Sequence, residues 1–276
     1  MPRPFRQVDV FTTEPHRGNP VAVVLEADGI DPAAMQRFAH WTNLSETTFV
    51  VAPSTPEADY GVRIFTPAEE LPFAGHPTLG TCHAWLEVGG QPRDPDHIVQ
   101  DCTAGLIPVR RSHGRLAFCA PPLVRTGAVS ADVLERVVTQ LGISRTAVVD
   151  AAWADNGPGW VAVLLADAEA VLAVRPGRVD LDIGLVGFQP PGSETAIEVR
   201  AFFPKDGTTA EDPVTGSLNA SVAMWLSETG RLSPPYVASQ GACLGRAGRV
   251  YIDADPDGAI WVGGGTVTRI AGTVAI

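Results

Sequence analysis

The sequence predicts a mixed α/β protein built from two similar halves. Three observations carry that prediction: a length of 276 residues, many short apolar segments separated by glycine and proline, and an internal repeat at long offset. A single domain averages ~150 residues, so this length suits two domains or one large one with a sizeable core. The 28 glycines and 24 prolines exceed ordinary usage without reaching low-complexity levels, which means many turns and hence many short strands. Apolar residues at 45% against 18% charged exclude a mostly disordered chain, because there is ample surface to bury against the ordering entropy.

Phe5 to Phe11 alternates as a half-buried strand does, and Val21 to Leu25 is a second strand after the turn Gly18-Asn19-Pro20. Asp31-Pro32 supplies a helix N-cap with proline at the first helical position, and Ala34, Met35, Phe38, Ala39 and Trp41 make the apolar stripe of helix one. Thr47 to Val51 and Tyr60 to Phe65 are β-branched and aromatic runs, hence strands. Thr78 to Val88 is a second helix stopped by Gly89-Gly90, and short strands fill His97 to Phe118. Ala120 to Val124 is a connector, placing a boundary near 122, with halves 1–122 and 123–276. Ser130 then opens an amphipathic helix that runs to Gly142, and Tyr236 to Ile276 alternates strongly, predicting several strands and little chemistry. The last strand is free to return to the first half.

The repeat sets the architecture. Gly18-Asn-Pro-Val-Ala-Val is echoed by Gly157-Pro-Gly-Trp-Val-Ala-Val, an offset of 140 from Val21 to Val161. Arg63-Ile-Phe-Thr-Pro67 meets Arg200-Ala-Phe-Phe-Pro204 at an offset of 137. Each leads into a polar loop and a matching turn, His76-Pro-Thr-Leu-Gly-Thr81 and Asp212-Pro-Val-Thr-Gly-Ser217, followed by an apolar helix. Two similar halves facing each other is the architecture this predicts.

A net charge of −11 repels phosphate backbones and anionic lipid, so nucleic acid and membrane partners are excluded and a small polar substrate is left. No apolar run reaches the ~20 residues of a membrane span, and no secretory signal follows the N-terminus, so the expected compartment is cytoplasmic. Four cysteines without a C-x-x-C pair predict reduced, mostly buried thiols.

A helix start carries unpaired N–H groups and partial positive charge, so both turns are candidate cradles for a carboxylate; the competing reading is a plain helix start. Lysine is missing from the phosphate-loop position at Thr81, which disfavours nucleotide triphosphates. His76 and Asp212 fall at equivalent motif positions, predicting a hydrogen-bonded or ionic pair; a structural histidine and an N-cap aspartate are the alternative. His76, Cys82 and His83 lack ligand spacing, so no metal is expected, and no dinucleotide fingerprint follows the first strand, so no cofactor is expected. In Asn43-Leu-Ser-Glu-Thr-Thr-Phe49, Glu46 is the one titratable group. Leu44 and Phe49 beside it would desolvate the carboxyl, as an acid/base that takes and returns a proton requires. Glu69, Glu70 and Glu211 compete for that role.

Together, Gly18-Asn-Pro-Val-Ala-Val, Asn43-Leu-Ser-Glu-Thr-Thr-Phe, Phe73-Ala-Gly-His-Pro-Thr-Leu-Gly and Glu211-Asp-Pro-Val-Thr-Gly-Ser-Leu-Asn219 resemble the phenazine-biosynthesis PhzF-like family. The resemblance implies a diaminopimelate-epimerase-like fold, each half a curved mixed sheet around a central helix, with the active site between the halves. It implies cofactor-free isomerisation of a small carboxylate-bearing substrate, with Glu46 as catalytic acid/base and His76 and Asp212 as its catalytic companions. It also implies Ser217 as a substrate contact, Gly75 and Gly216 as backbone donors to substrate, and a homodimer. The epimerase relatives use two thiols, and no cysteine of this chain stands at either turn, which argues against a two-cysteine racemase. Other readings of the same residues are a ligand-binding protein without turnover, and a lyase or hydratase using Glu46.

Overall fold

The computed structural model describes residues 2–112 and 114–276. It comprises two compact units, one formed by the chain up to Cys119 together with Gly263–Ile276, the other by Ala120–Val262.

The first unit begins with β1 (Arg3–Val10), β2 (Asn19–Val24), α1 (Pro32–Thr42), β3 (Glu46–Val51) and β4 (Tyr60–Phe65). It continues with β5 (Glu70–Leu71), α2 (Gly75–Glu87), β6 (His97–Cys102), β7 (Gly105–Ser112) and β8 (Arg115–Cys119). Of the stretch expected as strands from His97 to Phe118, His113 lies outside the described residues. The sheet is mixed. β1 and β2 are antiparallel, β2 and β3 parallel, β3 and β4 antiparallel, and β4 and β6 parallel, before the antiparallel run β6, β7, β8. Each parallel pair needs a crossover, and α1 and α2 supply them.

Asp31 caps α1 by accepting from the Ala33 N–H, and Met35 and Ala39 are buried against Phe49 and Phe65. Trp41 does not belong to that stripe. It lies two residues beyond Ala39, some 200° around the helix, and is 79% exposed. Helix α2 starts at Gly75, three residues before the predicted Thr78. Pro77 is tolerated in the first turn because the N–H it lacks would have no intrahelical acceptor there. From Gly75 through Cys82 the helix is buried, enclosed by β1, β2, β3, β6 and β8, which explains why no Asp, Glu, Lys or Arg occurs in it before Glu87. A Cβ on Gly80 would stand 2.3 Å from Val21 Cγ1, so the helix reaches β2 only because that side chain is missing.

The second unit contains β9 (Arg125–Ala128), α3 (Ala131–Leu141), β10 (Val148–Asp155), β11 (Val161–Leu165), α4 (Ala168–Ala173) and β12 (Ile183–Phe188). It then runs through β13 (Ile197–Lys205), β14 (Thr208–Asp212), α5 (Gly216–Glu228), β15 (Tyr236–Gln240), β16 (Gly248–Ala254) and into β17 (Ile260–Gly264). The chain then returns to the first unit as β18 (Thr266–Val274), antiparallel to β1 from Arg3 opposite Val274 to Val10 opposite Thr266. The pairing rules repeat: β11 and β12 are parallel across α4, β12 and β13 antiparallel, and β13 and β15 parallel across α5. Helix α3 is held by a Ser130 cap and a left-handed Gly142, as its sequence predicts, and lays Leu134, Val137, Val138 and Leu141 on the core. Among the described residues no helix is long and apolar enough to cross a membrane.

Register makes the repeat quantitative. Val21 on β2 lies opposite Glu46 on β3, and Val161 on β11 lies opposite Ile183 on β12. Since Val21 and Val161 are repeat equivalents, the second unit carries a fully buried isoleucine where the first carries Glu46.

Candidate active site

Glu46 is the first residue of β3, and the parallel pairing with β2 places it beside the segment that leads in through Asn19. Its Oε2 lies 3.3 Å from His76 Nε2, with the two side chains 16% and 5% exposed. His76 is the second residue of α2, and its Nδ1 lies 3.3 Å from the Asn19 amide nitrogen. The Asn19 amide thus stands at one ring nitrogen and the Glu46 carboxylate at the other. Burial keeps the ring neutral, pushing its pKa down to about 3 against a smaller opposing effect from the Pro20 backbone. The contact is therefore a neutral imidazole beside a carboxyl group rather than a full ion pair.

The competing glutamates are committed elsewhere. Glu70 takes two hydrogen bonds of 2.7 Å from Arg63, and Glu211 takes bonds of 2.9 and 2.8 Å from Arg200. Glu69 is exposed on the β4–β5 turn. The Cys82 thiol is pushed up to about 12 by burial, which leaves it inert as a nucleophile or base. Among the described residues no group of three or more His, Cys, Asp or Glu side chains is placed to hold a metal ion.

In the second unit Asp212 ends β14, and Gly216 and Ser217 are the first two residues of α5. The matched motifs thus sit differently in their helices. Gly75 and Gly216 both open thirteen-residue helices, so the counterpart of His76 by helix position is Ser217, while Gly80-Thr81 lies inside α2. Neither helix has a side-chain cap or an acidic residue in its first turn. Asp31 and Ser130, by contrast, cap α1 and α3. The positive ends of α2 and α5 are thus met by neither a side-chain cap nor a first-turn carboxylate, which suits an anion cradle.

Asp212 Oδ2 accepts a 2.5 Å bond from Thr215 Oγ1. Thr215 is in turn held by Gln240, which receives the Thr215 backbone N–H at 3.0 Å and donates to its Oγ1 at 2.9 Å. Gln240 also accepts from Asn219 Nδ2 and donates to the Asp212 carbonyl, so its amide is saturated while only 1% exposed. Gln240, from the C-terminal strands, thereby braces the Asp212–Thr215 segment. Ser217 Oγ accepts from Trp160 Nε1 at 3.1 Å, and its carbonyl accepts from Asn156 Nδ2 at 3.1 Å. Asn19, Trp160 and Gln240 are the residues sequence reasoning missed. The repeat segments Gly18-Asn19-Pro20 and Gly157-Pro-Gly-Trp160 contained two of them, but no local pattern gives the partners, which lie 21 to 57 residues away.

Comparison with known proteins agrees with this architecture. Residues 8–272 match the family model described as phenazine biosynthesis-like protein. The chain is 35% identical to antisense-enhancing sequence 1 of Schizosaccharomyces pombe, over 97% of each chain. It is 33% identical to the trans-2,3-dihydro-3-hydroxyanthranilate isomerase of Pseudomonas aeruginosa, over 91% of this chain and 90% of that one. Among solved structures, a phenazine biosynthesis protein of the PhzF family from Bacillus anthracis superposes with a TM-score of 0.83 at 23% identity over the full length of both chains.

Proposed function

The chain belongs to the phenazine biosynthesis-like, PhzF-type family, and from that premise we propose that it is an isomerase moving a proton on a small carboxylate-bearing substrate, with Glu46 as the single acid/base. The observation that carries the reading is the Glu46–His76 contact at 3.3 Å. A histidine whose pKa is about 3 neither holds a proton at neutral pH nor competes for the one its neighbour takes. That leaves Glu46 as the member of the pair assigned to take and return the substrate proton. Ile183 at the repeat position of Glu46 supplies no second base, which favours one residue that both removes and returns the proton.

In this reading the N–H groups of Gly75 and Gly216 take the substrate carboxylate and Ser217 adds a hydroxyl. Asp212, braced by Thr215, serves as the polar companion that holds the substrate alongside His76. No electron sink is needed if the substrate is already activated. The reading includes a homodimer in the cytoplasm; sedimentation at micromolar concentration checks the assembly, and a monomer would remove that part.

The test is hydrogen exchange. In heavy water, the protein should wash deuterium into trans-2,3-dihydro-3-hydroxyanthranilate, the substrate named for the relative in Pseudomonas aeruginosa, or into another small unsaturated cyclic acid. Glu46→Gln should abolish exchange and product formation while acid binding survives. A variant that exchanges as fast as the parent would remove Glu46 as the base. Binding without exchange or product in the parent would favour a protein without turnover.

A further inference from the structure

We propose that Trp160 is a positioning residue that makes the Ser217 hydroxyl an obligate hydrogen-bond donor to an acceptor oxygen of the substrate, an inference that rests on the assignment of Ser217 to the substrate site. An indole N–H can only donate. Its bond of 3.1 Å to Ser217 Oγ therefore fixes that oxygen as an acceptor on one side. The hydroxyl hydrogen must point elsewhere, and no acceptor for it occurs among the described residues. A hydroxyl without the indole would rotate freely between giving and accepting. With it, the hydroxyl is oriented before a ligand arrives, beside a helix start that already favours negative charge.

The loop that carries Trp160 is built to hold it. Asp155 Oδ1 accepts from the N–H groups of both Gly157 and Gly159 at 2.7 Å, and those two glycines have φ of 138° and 97°. The Trp160 carbonyl accepts from the Ala154 N–H at 3.1 Å, closing the hairpin between β10 and β11. Asn156 ties the same loop to the Ser217 carbonyl at 3.1 Å, so two of its side chains grip one residue of α5. Trp160 itself is only 4% exposed, hence its ring cannot swing away to release the serine.

The experiment is a double-mutant cycle on the binding of 3-hydroxyanthranilate, a stable aromatic relative of the named substrate, with benzoate as a second probe. Trp160→Phe should weaken binding about three- to tenfold, the loss of one oriented hydrogen bond, and by less than twofold in a Ser217→Ala background. Equal losses in both backgrounds would mean Trp160 acts only as core and would overturn the proposal. A second readout keeps the parent fold: in ¹⁵N-tryptophan protein, saturating ligand should shift the Trp160 indole resonance, since donation by Ser217 polarises its oxygen. That shift should vanish in Ser217→Ala. Its absence in the parent overturns the proposal even if Trp160→Phe does not fold. Weakened binding in Ser217→Ala with a neutral Trp160→Phe would sink Trp160 alone and leave the substrate site standing. Unchanged binding in Ser217→Ala, or no binding of either probe by the parent, would take away both.

Discussion

His76 and Ser217 hold the same place in two different helices, each the second residue of a thirteen-residue helix opened by glycine. The two side chains are put to different uses. His76 is turned to the Glu46 carboxylate of its own unit, whereas Ser217 is gripped by Trp160 and Asn156 of its own. Equivalent helix positions of the duplicated fold thus make different contacts, and the asymmetry extends to Ile183 at the repeat position of Glu46.

The first prediction follows from the burial of His76. Its pKa in the unfolded chain is near 6.5, and in the folded protein it is lowered to about 3 by burial. The unfolded state therefore binds the extra proton first. The contribution is intact above 6.5 and is lost as pH falls toward 3, with a steepest slope of about 1.4 kcal/mol per pH unit. His76→Gln should flatten that limb. Urea titrations between pH 7 and pH 4 measure it, and an equal slope in the variant would contradict the neutral, buried ring.

Glu198 has the opposite sign. It is 2% exposed on β13, and burial raises its pKa from 4.5 to about 7 despite Ser239, Arg249 and Arg200 nearby. The folded state now holds the proton more tightly, so stability is full below 4.5 and falls as pH rises through 7. Glu198→Gln keeps the shape without the charge. It should raise stability at pH 8 by at most about 3 kcal/mol and change little at pH 5. A variant no more stable than the parent at pH 8 would mean that the carboxylate is compensated by its arginines.

Gly80 tests the packing that positions His76. Alanine would drive a Cβ to within 2.3 Å of Val21 Cγ1 and toward Val10 Cγ2 at 3.1 Å, with β2 and β1 unable to move separately from their sheet. Gly80→Ala should cost about 1–3 kcal/mol by overpacking, outweighing any gain in helix propensity. Thermal and urea unfolding give the value directly. A stabilised variant would show that α2 can lift off the sheet without penalty.

The sequence made the repeat legible because strand signals are local: Arg63 and Arg200 each stand in β-branched or aromatic runs that end in proline, and both runs are strands. Helix α1 was equally legible through Asp31-Pro32. The start of α2 was not, since Gly-Thr at 80–81 resembles a helix opening and only burial on all sides extends the helix back to Gly75. Glu46 and His76 were each singled out from local composition, yet their contact depends on β3 and α2 meeting across 30 residues of chain. Gln240 carried no signal at all, because a saturated amide is defined by its four partners and not by its neighbours in sequence.

The last prediction uses the repeat as its own control. Arg63–Glu70 and Arg200–Glu211 join equivalent hairpins, β4 with β5 and β13 with β14, through the same paired hydrogen bonds. They differ in burial: the first pair is 29% and 33% exposed, the second 4% and 12%. A half-exposed bridge is worth little, so Arg63→Ala should cost under about 1 kcal/mol, shrinking further at high salt. Arg200 also donates to the carbonyls of Val171 and Val174 at 3.1 and 2.7 Å, and its removal strands Glu211. Arg200→Met should therefore cost about 3–5 kcal/mol, and adding Glu211→Met should recover part of that loss by removing the orphaned charge. The parent and these three variants, unfolded in urea at two salt concentrations, suffice. If the two arginines cost the same, burial is not what separates the pairs; if the double variant is worse than Arg200→Met, the pair contributes net stability beyond the avoidance of a stranded carboxylate.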